Sequence, residues 1–330
     1  MMHRRKFIGA LSWGLGALPP GIGAQPVGRV YRLGILQPGS MPPASDPILS
    51  DSYTAPLRDL GYVEGRNLVI VPRYADRKLD RLPGFARELL ELKVDVILAV
   101  TGASVAAAKA ATAVTPIVLL NNADPVAAGF VQSLARPGGN ITGVLISPEG
   151  SLAAKRVELL REFVPRATRF VLLAPGELGP SWPQRQETRD AAAALGLDLE
   201  IVEVHGNDYA RAFAAIAKLR AQALIVGASA LFLGDRKVII ELAAKHRLPA
   251  TYEWPHQVKD GGLMSYGAND IETYRQVASY IDRIFKGAKP ADMAIWQPSR
   301  LHLVINLKTA KALGVAVPQT LLLRADEVIE

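Results

Sequence analysis

The sequence predicts an α/β protein made of two doubly wound, mostly parallel-sheet lobes. Three observations carry this. Short, continuously apolar runs alternate with helix-patterned stretches of ten to fifteen residues, as right-handed crossovers between parallel strands require. The same rhythm starts twice, with a break near residues 147–150. A chain of 330 residues with 49% apolar content can fill two cores of ordinary domain size.

Taken in order, VYRLGILQ (30–37) reads as the first strand and runs into a Pro/Gly/Ser loop over 38–45. An amphipathic helix is expected over 46–60. NLVIVPRYA (67–75) is the second strand, and Pro72, lacking an N–H, puts it at a sheet edge. Residues 79–93 carry Leu79, Leu82, Phe85, Leu89 and Leu92 at helical spacing. A strand over 94–100, a helix over 103–113, a strand over 116–120 and the loop NNADP (121–125) complete the first series.

The second series has strands expected at 170–175, 199–204, 223–227, 248–252 and 263–267, with helices over 182–195, 209–219 and 231–246. In the tail, apolar spacing at Tyr274, Val277, Ile281, Ile284 and Phe285 predicts a helix over 271–286 that Gly287 ends. RLHLVINL (300–307) is a strand, and 308–313 a short helix closed by Gly314.

The amino-terminal segment has its own layout. MMHRRKFIGALSWGLGALPPGIGAQ has a basic start, an apolar stretch over 7–18 and a small-residue end, which predicts an export signal over 1–24. Arg4 and Arg5 fit a twin-arginine address or an ordinary secretory start equally well. Either predicts a periplasmic, soluble product. The net charge of +7 falls to +4 once Arg4, Arg5 and Lys6 are removed, and no basic run interleaved with aromatics remains, which argues against nucleic acid as a partner. The absence of cysteine excludes disulfides, thiolate chemistry, cysteine-held metals and a lipid anchor on cysteine.

Catalytic signatures are weak. His3, His205, His246, His256 and His302 form no HExxH pair, and no glycine-rich phosphate motif stands between a strand and a helix. No catalytic residue, metal ligand or cofactor is therefore expected. Polar loops at the carboxyl ends of the predicted strands remain, and open α/β sheets bind ligands there. They supply Gln37, then Thr101, Ala103 and Ser104 at the start of a helix whose N–H groups favour an anion, then Asn121 and Asp124. Asp124 before Pro125 reads equally as a cap. The second series supplies Pro175, Ser229, Tyr252 and Glu253, with Glu253 facing a ligand ammonium and Tyr252 or Trp254 offering a ring face. Tyr266, just before the chain recrosses, is a ligand or hinge contact.

The stretches TPIVLLNNADPVAAGFVQSLARPGGNITG, HRLPATYEW, GGLMSYG and LVINLKTAKALGVAVPQTLLLRADEVIE resemble the substrate-binding proteins of ABC importers, in the family that includes tryptophan- and tyrosine-type solute receptors. That resemblance implies a type I periplasmic-binding fold with three connecting segments and the ligand between the lobes. It places residues 29–146 with 268–295 in one lobe and 147–267 with 296–330 in the other. It implies a monomer that closes on a small ligand, with an aromatic or apolar amino acid as the first expectation, and delivers it to ABC permease subunits. Two other readings stand beside it: an exported hydrolase-like enzyme using Ser104 or Ser229, and a sensory module sharing the same closed-lobe surface.

Overall fold

Alternation along the central strands dictates the layers. In β3 (Val96–Val100), Val96, Leu98 and Val100 point to one face while Ile97 and Ala99 point to the other, and both sets are buried. A strand apolar on both faces needs a helical layer on each. The computed structural model, which describes residues 29–147 and 152–330, shows that arrangement in two sheets. The expected export signal lies outside the described residues.

The first sheet joins β1 (Tyr31–Gln37), β2 (Leu68–Tyr74), β3, β4 (Ile117–Asn121) and β5 (Ile141–Leu145) in the order β2-β1-β3-β4-β5, all parallel. Pro72 lies on the edge strand, opposite Ile35. One face is covered by helices Leu82–Glu91 and Gly102–Ala111 through Ala86, Leu89, Val105 and Ala108. The other is covered by helix Asp270–Phe285, through Val277, Ala278 and Ile281. That helix comes after five of the second sheet's strands and before the last two, yet belongs to the first sheet's core, so the chain crosses back before it and again after it. Tyr62 ties it down by donating to the Asp282 carboxylate at 2.8 Å.

The second sheet runs β12-β11-β10-β9-β8-β6-β7, from β6 (Arg169–Pro175), β7 (Asp198–Val204), β8 (Ala223–Val226), β9 (Ala250–Tyr252), β10 (Met264–Gly267), β11 (His302–Asn306) and β12 (Glu327–Ile329). Only the β10–β11 pair is antiparallel. Helices Tyr209–Lys218 and Arg236–Lys245 cover one face and Leu152–Phe163 and Pro183–Ala194 the other. Each sheet reverses its winding beside its first strand, at β1/β3 and at β6/β8. Those are the points where a crevice opens at the strand ends.

Several elements differ from the sequence expectation. The expected helix 46–60 is two short helices, Pro47–Ser50 and Thr54–Asp59, and the expected helix 231–246 breaks at Asp235. Strand β5 goes unseen in the sequence because ITGVL carries Gly143, and glycine normally marks a turn. Here Gly143 has φ +146°, and a Cβ on it would sit 2.3 Å from the Leu119 carbonyl oxygen. The space is used: Thr142 donates to the Met293 carbonyl at 2.6 Å, and Trp296 donates to the Gly143 carbonyl at 2.9 Å. Gly143→Ala should therefore lower the unfolding free energy by about 2 kcal/mol or more, measured by urea denaturation.

Candidate functional site

The carboxyl ends of β1, β3 and β4 face those of β8 and β9 across a cavity of about 350 Å³. Gln37, Thr101, Ala103, Asn121, Ser229 and Glu253 line it, so six of the sequence-predicted residues converge from both sheets. Thr101 is the most constrained. Its backbone lies at φ +77°, ψ 158°, a region that side chains other than glycine's rarely tolerate. It is held there from both sides, donating to the Leu120 carbonyl and accepting from the Val105 N–H. The helix Gly102–Ala111 starts at this point, so its first N–H groups lack intrahelical acceptors. Thr101 Oγ1 is buried and has no hydrogen-bond partner among the described residues. A wall with free donors and a helix N-terminus suits a carboxylate.

Aromatic rings form another part of the lining. Tyr53 meets Tyr274 edge-on with ring centroids 5.4 Å apart, and Trp254 stacks on Tyr274 at 6.4 Å. Burial pushes the Tyr53 and Tyr274 hydroxyls up, so both rings stay neutral. Gln37 donates to the Tyr53 hydroxyl at 3.4 Å. Trp182 closes a further side, its ring packed where a Cβ on Gly227 would otherwise stand. Sequence reasoning missed Tyr53 and Tyr274. Tyr53 sits in the proline-rich segment after β1, and Tyr274 comes from the helix that crosses back, so no local pattern marks either.

Glu253 lies on the cavity wall but is not free. The Arg156 guanidinium stands 3.5 Å from its carboxylate, and both side chains are buried. Burial pushes the Glu253 carboxyl up, which Arg156 partly offsets, while burial pulls the Arg156 guanidinium down. Asn121 spends its side chain within its own loop, accepting from the Asn122 N–H and donating to the Ala123 carbonyl. Ser229 Oγ accepts from the Leu231 N–H as a cap.

Five expected contacts do not reach this cavity. Ser104 is 0% exposed, because three residues into the helix its side chain has rotated toward the sheet beside Val105. Tyr252 is 1% exposed and points into the second sheet's core, since strand alternation gives it the same face as Ala250. Asp124 caps its own turn, accepting from the Val126 and Ala127 N–H groups. Pro175 is buried at the end of β6 and does not line this cavity, although Leu178 just beyond it does. Tyr266 packs against the core under β10, and its carbonyl accepts from Arg156 Nε at 2.9 Å. Neither serine hydroxyl is hydrogen-bonded to a histidine or lysine among the described residues.

Charged contacts join the two sides at the cavity's lips. The loops after β1 and β2 are zipped by Ala75, Asp76 and Arg77 N–H groups donating to the Gln37, Gly39 and Pro38 carbonyls. This carries the Arg77 guanidinium across to Glu177 at 3.3 Å, to the Tyr209 hydroxyl at 3.0 Å and to Asp235. At the next residue along, Asp46 pairs with Arg236 at 2.8 Å, and Arg236 also pairs with Asp260 at 2.6 Å. Asn122 adds a bond to the Ala228 carbonyl at 3.3 Å. No helix among the described residues is long and apolar enough to cross a membrane, and no cluster of histidine and carboxylate side chains there could hold a metal ion.

Comparison with known proteins places this geometry. A family model described as ABC transporter substrate binding protein matches residues 45–329. A tyrosine-binding protein of Clostridioides difficile is 25% identical over 261 residues, covering 78% of this chain and 74% of that protein. Among solved structures, a conserved domain protein from Vibrio cholerae superposes with a TM-score of 0.78 at 24% identity, covering 91% of this chain and 100% of that one. An ABC domain from Streptococcus pneumonia in complex with L-Trp gives 0.76 at 24% identity, with the same coverages. A ligand-free, open substrate binding protein with adhesive properties from Clostridium difficile gives 0.59 at 24% identity, covering 91% and 99%.

The Asp46 carboxyl is lowered: burial alone would raise it, and the Arg236 guanidinium more than reverses that. A lowered carboxylate contributes stability that is full above its ordinary value near pH 4 and is lost as pH falls through the lowered one. Below about pH 4 the wild type should therefore lose stability more steeply than Asp46→Asn, which lacks this titration. Thermal unfolding followed across pH measures the difference.

Proposed function

The chain belongs to the ABC transporter substrate-binding protein family and has the type I periplasmic-binding fold, and from that premise we propose that it is the exported solute-binding component of an importer for an aromatic amino acid. One observation carries the ligand class. The cavity is lined by Thr101, whose hydroxyl is unpartnered, by a helix N-terminus, by the Glu253 carboxylate and by the aromatic rings of Tyr53, Trp254 and Tyr274. A zwitterion with a flat side chain matches that arrangement: its carboxylate goes to the Thr101 side, its ammonium to Glu253, and its ring against Trp254 and Tyr274. The tyrosine bound by one relative and the L-Trp bound by another have this chemistry.

No bond is made or broken in this function. Closing the lobes excludes water from the cavity, which strengthens the few polar contacts inside it. The ionic lips then hold the closed shape that a membrane permease would receive. The basic, apolar and small-residue layout of the first 24 residues supports export to the periplasm.

Calorimetric titration of the ligand-free protein with L-tyrosine, L-tryptophan and L-phenylalanine tests the reading. Binding of at least one with a Kd in the micromolar range is expected, and none tighter than about 1 mM for all three overturns it. Thr101→Gly separates stability from binding. Relief of backbone strain, less the entropy glycine costs, should stabilise the ligand-free fold by about 1 kcal/mol. Loss of the hydroxyl should weaken amino-acid binding roughly tenfold. Ser104→Ala, by contrast, should leave affinity unchanged and not reduce stability, because a buried hydroxyl without a partner gives the fold nothing to lose.

A further inference from the structure

The aromatic cavity has a neighbour, a second space of about 430 Å³ that Ser147 and Gln297, from segments crossing between the sheets, help to line. Asn122, Trp182 and Glu253 line both spaces, so these side chains stand where the two meet. Asn122 is tied to the Ala228 carbonyl and Glu253 to Arg156. Trp182 is the largest of the three and the one that carries a ring.

Local sequence fixes the indole in that place. Pro183 opens the helix Pro183–Ala194 and keeps the residue before it out of the helical region, and Trp182 accordingly sits at φ −62°, ψ 119°. Its ring packs against Gly227, just past the end of β8, where a Cβ would come within 2.4 Å of the indole. Gln184 locks the two segments together: its side-chain amide donates to the Ala228 carbonyl at 3.1 Å and accepts from the Ala228 N–H at 2.9 Å. Trp182 is buried in the core that also contains Leu160, Ala174 and Ile225. A ring held by core packing and by a glycine backbone acts as a fixed wall.

The chemistry on the two sides of that wall differs. On the cavity side, an amino acid that points its ammonium at Glu253 directs its nitrogen toward the partition. A residue added to that nitrogen, as in a peptide, would have to pass where Trp182 stands. Beyond it, Glu253, Glu187 and Asp124 set three carboxylates against the Arg156 guanidinium, the one cation among the described residues of that lining. Such a lining favours the positively charged amino end of a peptide and disfavours a carboxylate.

We propose that Trp182 is a specificity-determining residue, which confines the site to free amino acids and rejects peptides ending in the same aromatic residue. This role rests on the amino-acid orientation proposed above. A fixed wall discriminates by steric exclusion, so it acts against the longer ligand and costs the shorter one nothing.

The probe is glycyl-L-tyrosine, titrated by calorimetry beside L-tyrosine into the full mature protein. Wild type should bind the dipeptide at least about tenfold more weakly than L-tyrosine. Trp182→Leu, which removes the ring and leaves an apolar side chain in the core, should bind glycyl-L-tyrosine at least about tenfold more tightly than wild type does. A ring that served packing alone would, once removed, weaken or spare both ligands together. Trp182→Phe keeps the core better filled, so if the leucine variant does not unfold cooperatively the phenylalanine variant decides, with a smaller gain of the same sign expected. Wild-type binding of the dipeptide within about tenfold of L-tyrosine, or no gain in the folded variant, overturns the proposal. If wild type binds no amino acid, the transport reading fails, and the presence or absence of a gain for glycyl-L-tyrosine in Trp182→Leu still decides this one.

Discussion

Arg236, 1% exposed, is the interaction on which the closed arrangement turns. Its guanidinium is shared between Asp260 of the same sheet's domain and Asp46 from across the cleft. A buried cation stripped of every partner is severely unfavourable, whereas one that keeps a carboxylate is tolerable. When the lobes part, Asp46 leaves for water and Asp260 stays, so opening does not strand the charge. The neighbouring Arg77 contact is arranged in reverse: Arg77 departs into solvent and leaves Glu177, Asp235 and Tyr209 to rehydrate at a surface. Charged lips of this kind register the closed state without the large desolvation gain that would make an apolar interface hard to reopen.

Between those lips, the cavity inherits its polarity from strand geometry. Parallel strands end together, and each end hands the chain to a loop, so the carboxyl edges of both sheets gather the polar residues that the cores exclude. The strained Thr101 backbone fits this position. It has the N–H and carbonyl bonds of a rigid connection on both sides, and these hold the hydroxyl in a conformation the residue would not choose. Strain at such a point is stored by the surrounding fold and spent on positioning.

Much of this was legible in the sequence, and where it was not, the physical reasons are specific. Continuous apolar runs located β1, β3, β4, β6 and β8, and the residues at or just past their ends gave Gln37, Thr101 and Ser229 without any knowledge of tertiary contacts. Ser104 and Tyr252 failed for a common reason: which way a side chain points depends on phase, and one residue of helix rotation or strand alternation exchanges cavity for core. Asp124 was correctly open to a capping role, since an aspartate before proline serves the backbone first. Tyr274, Arg77 and Arg156 were invisible because each arrives from an element whose partner is fixed only when the chain crosses between sheets. Arg156 in particular stands on the helix Leu152–Phe163, a stretch no sequence motif marks, and nothing local reveals that Glu253, 97 residues away, will be buried against it.

The Arg156–Glu253 pair in the cavity wall obeys the same rule of shared burial. Neither Arg156 nor Glu253 could be buried alone, because each would lose its hydration without compensation. Together they are tolerated. Burial still pushes the Glu253 carboxyl up and Arg156 only partly offsets this, so the wall holds a carboxylate whose charged form an ammonium in the cavity would help to stabilise.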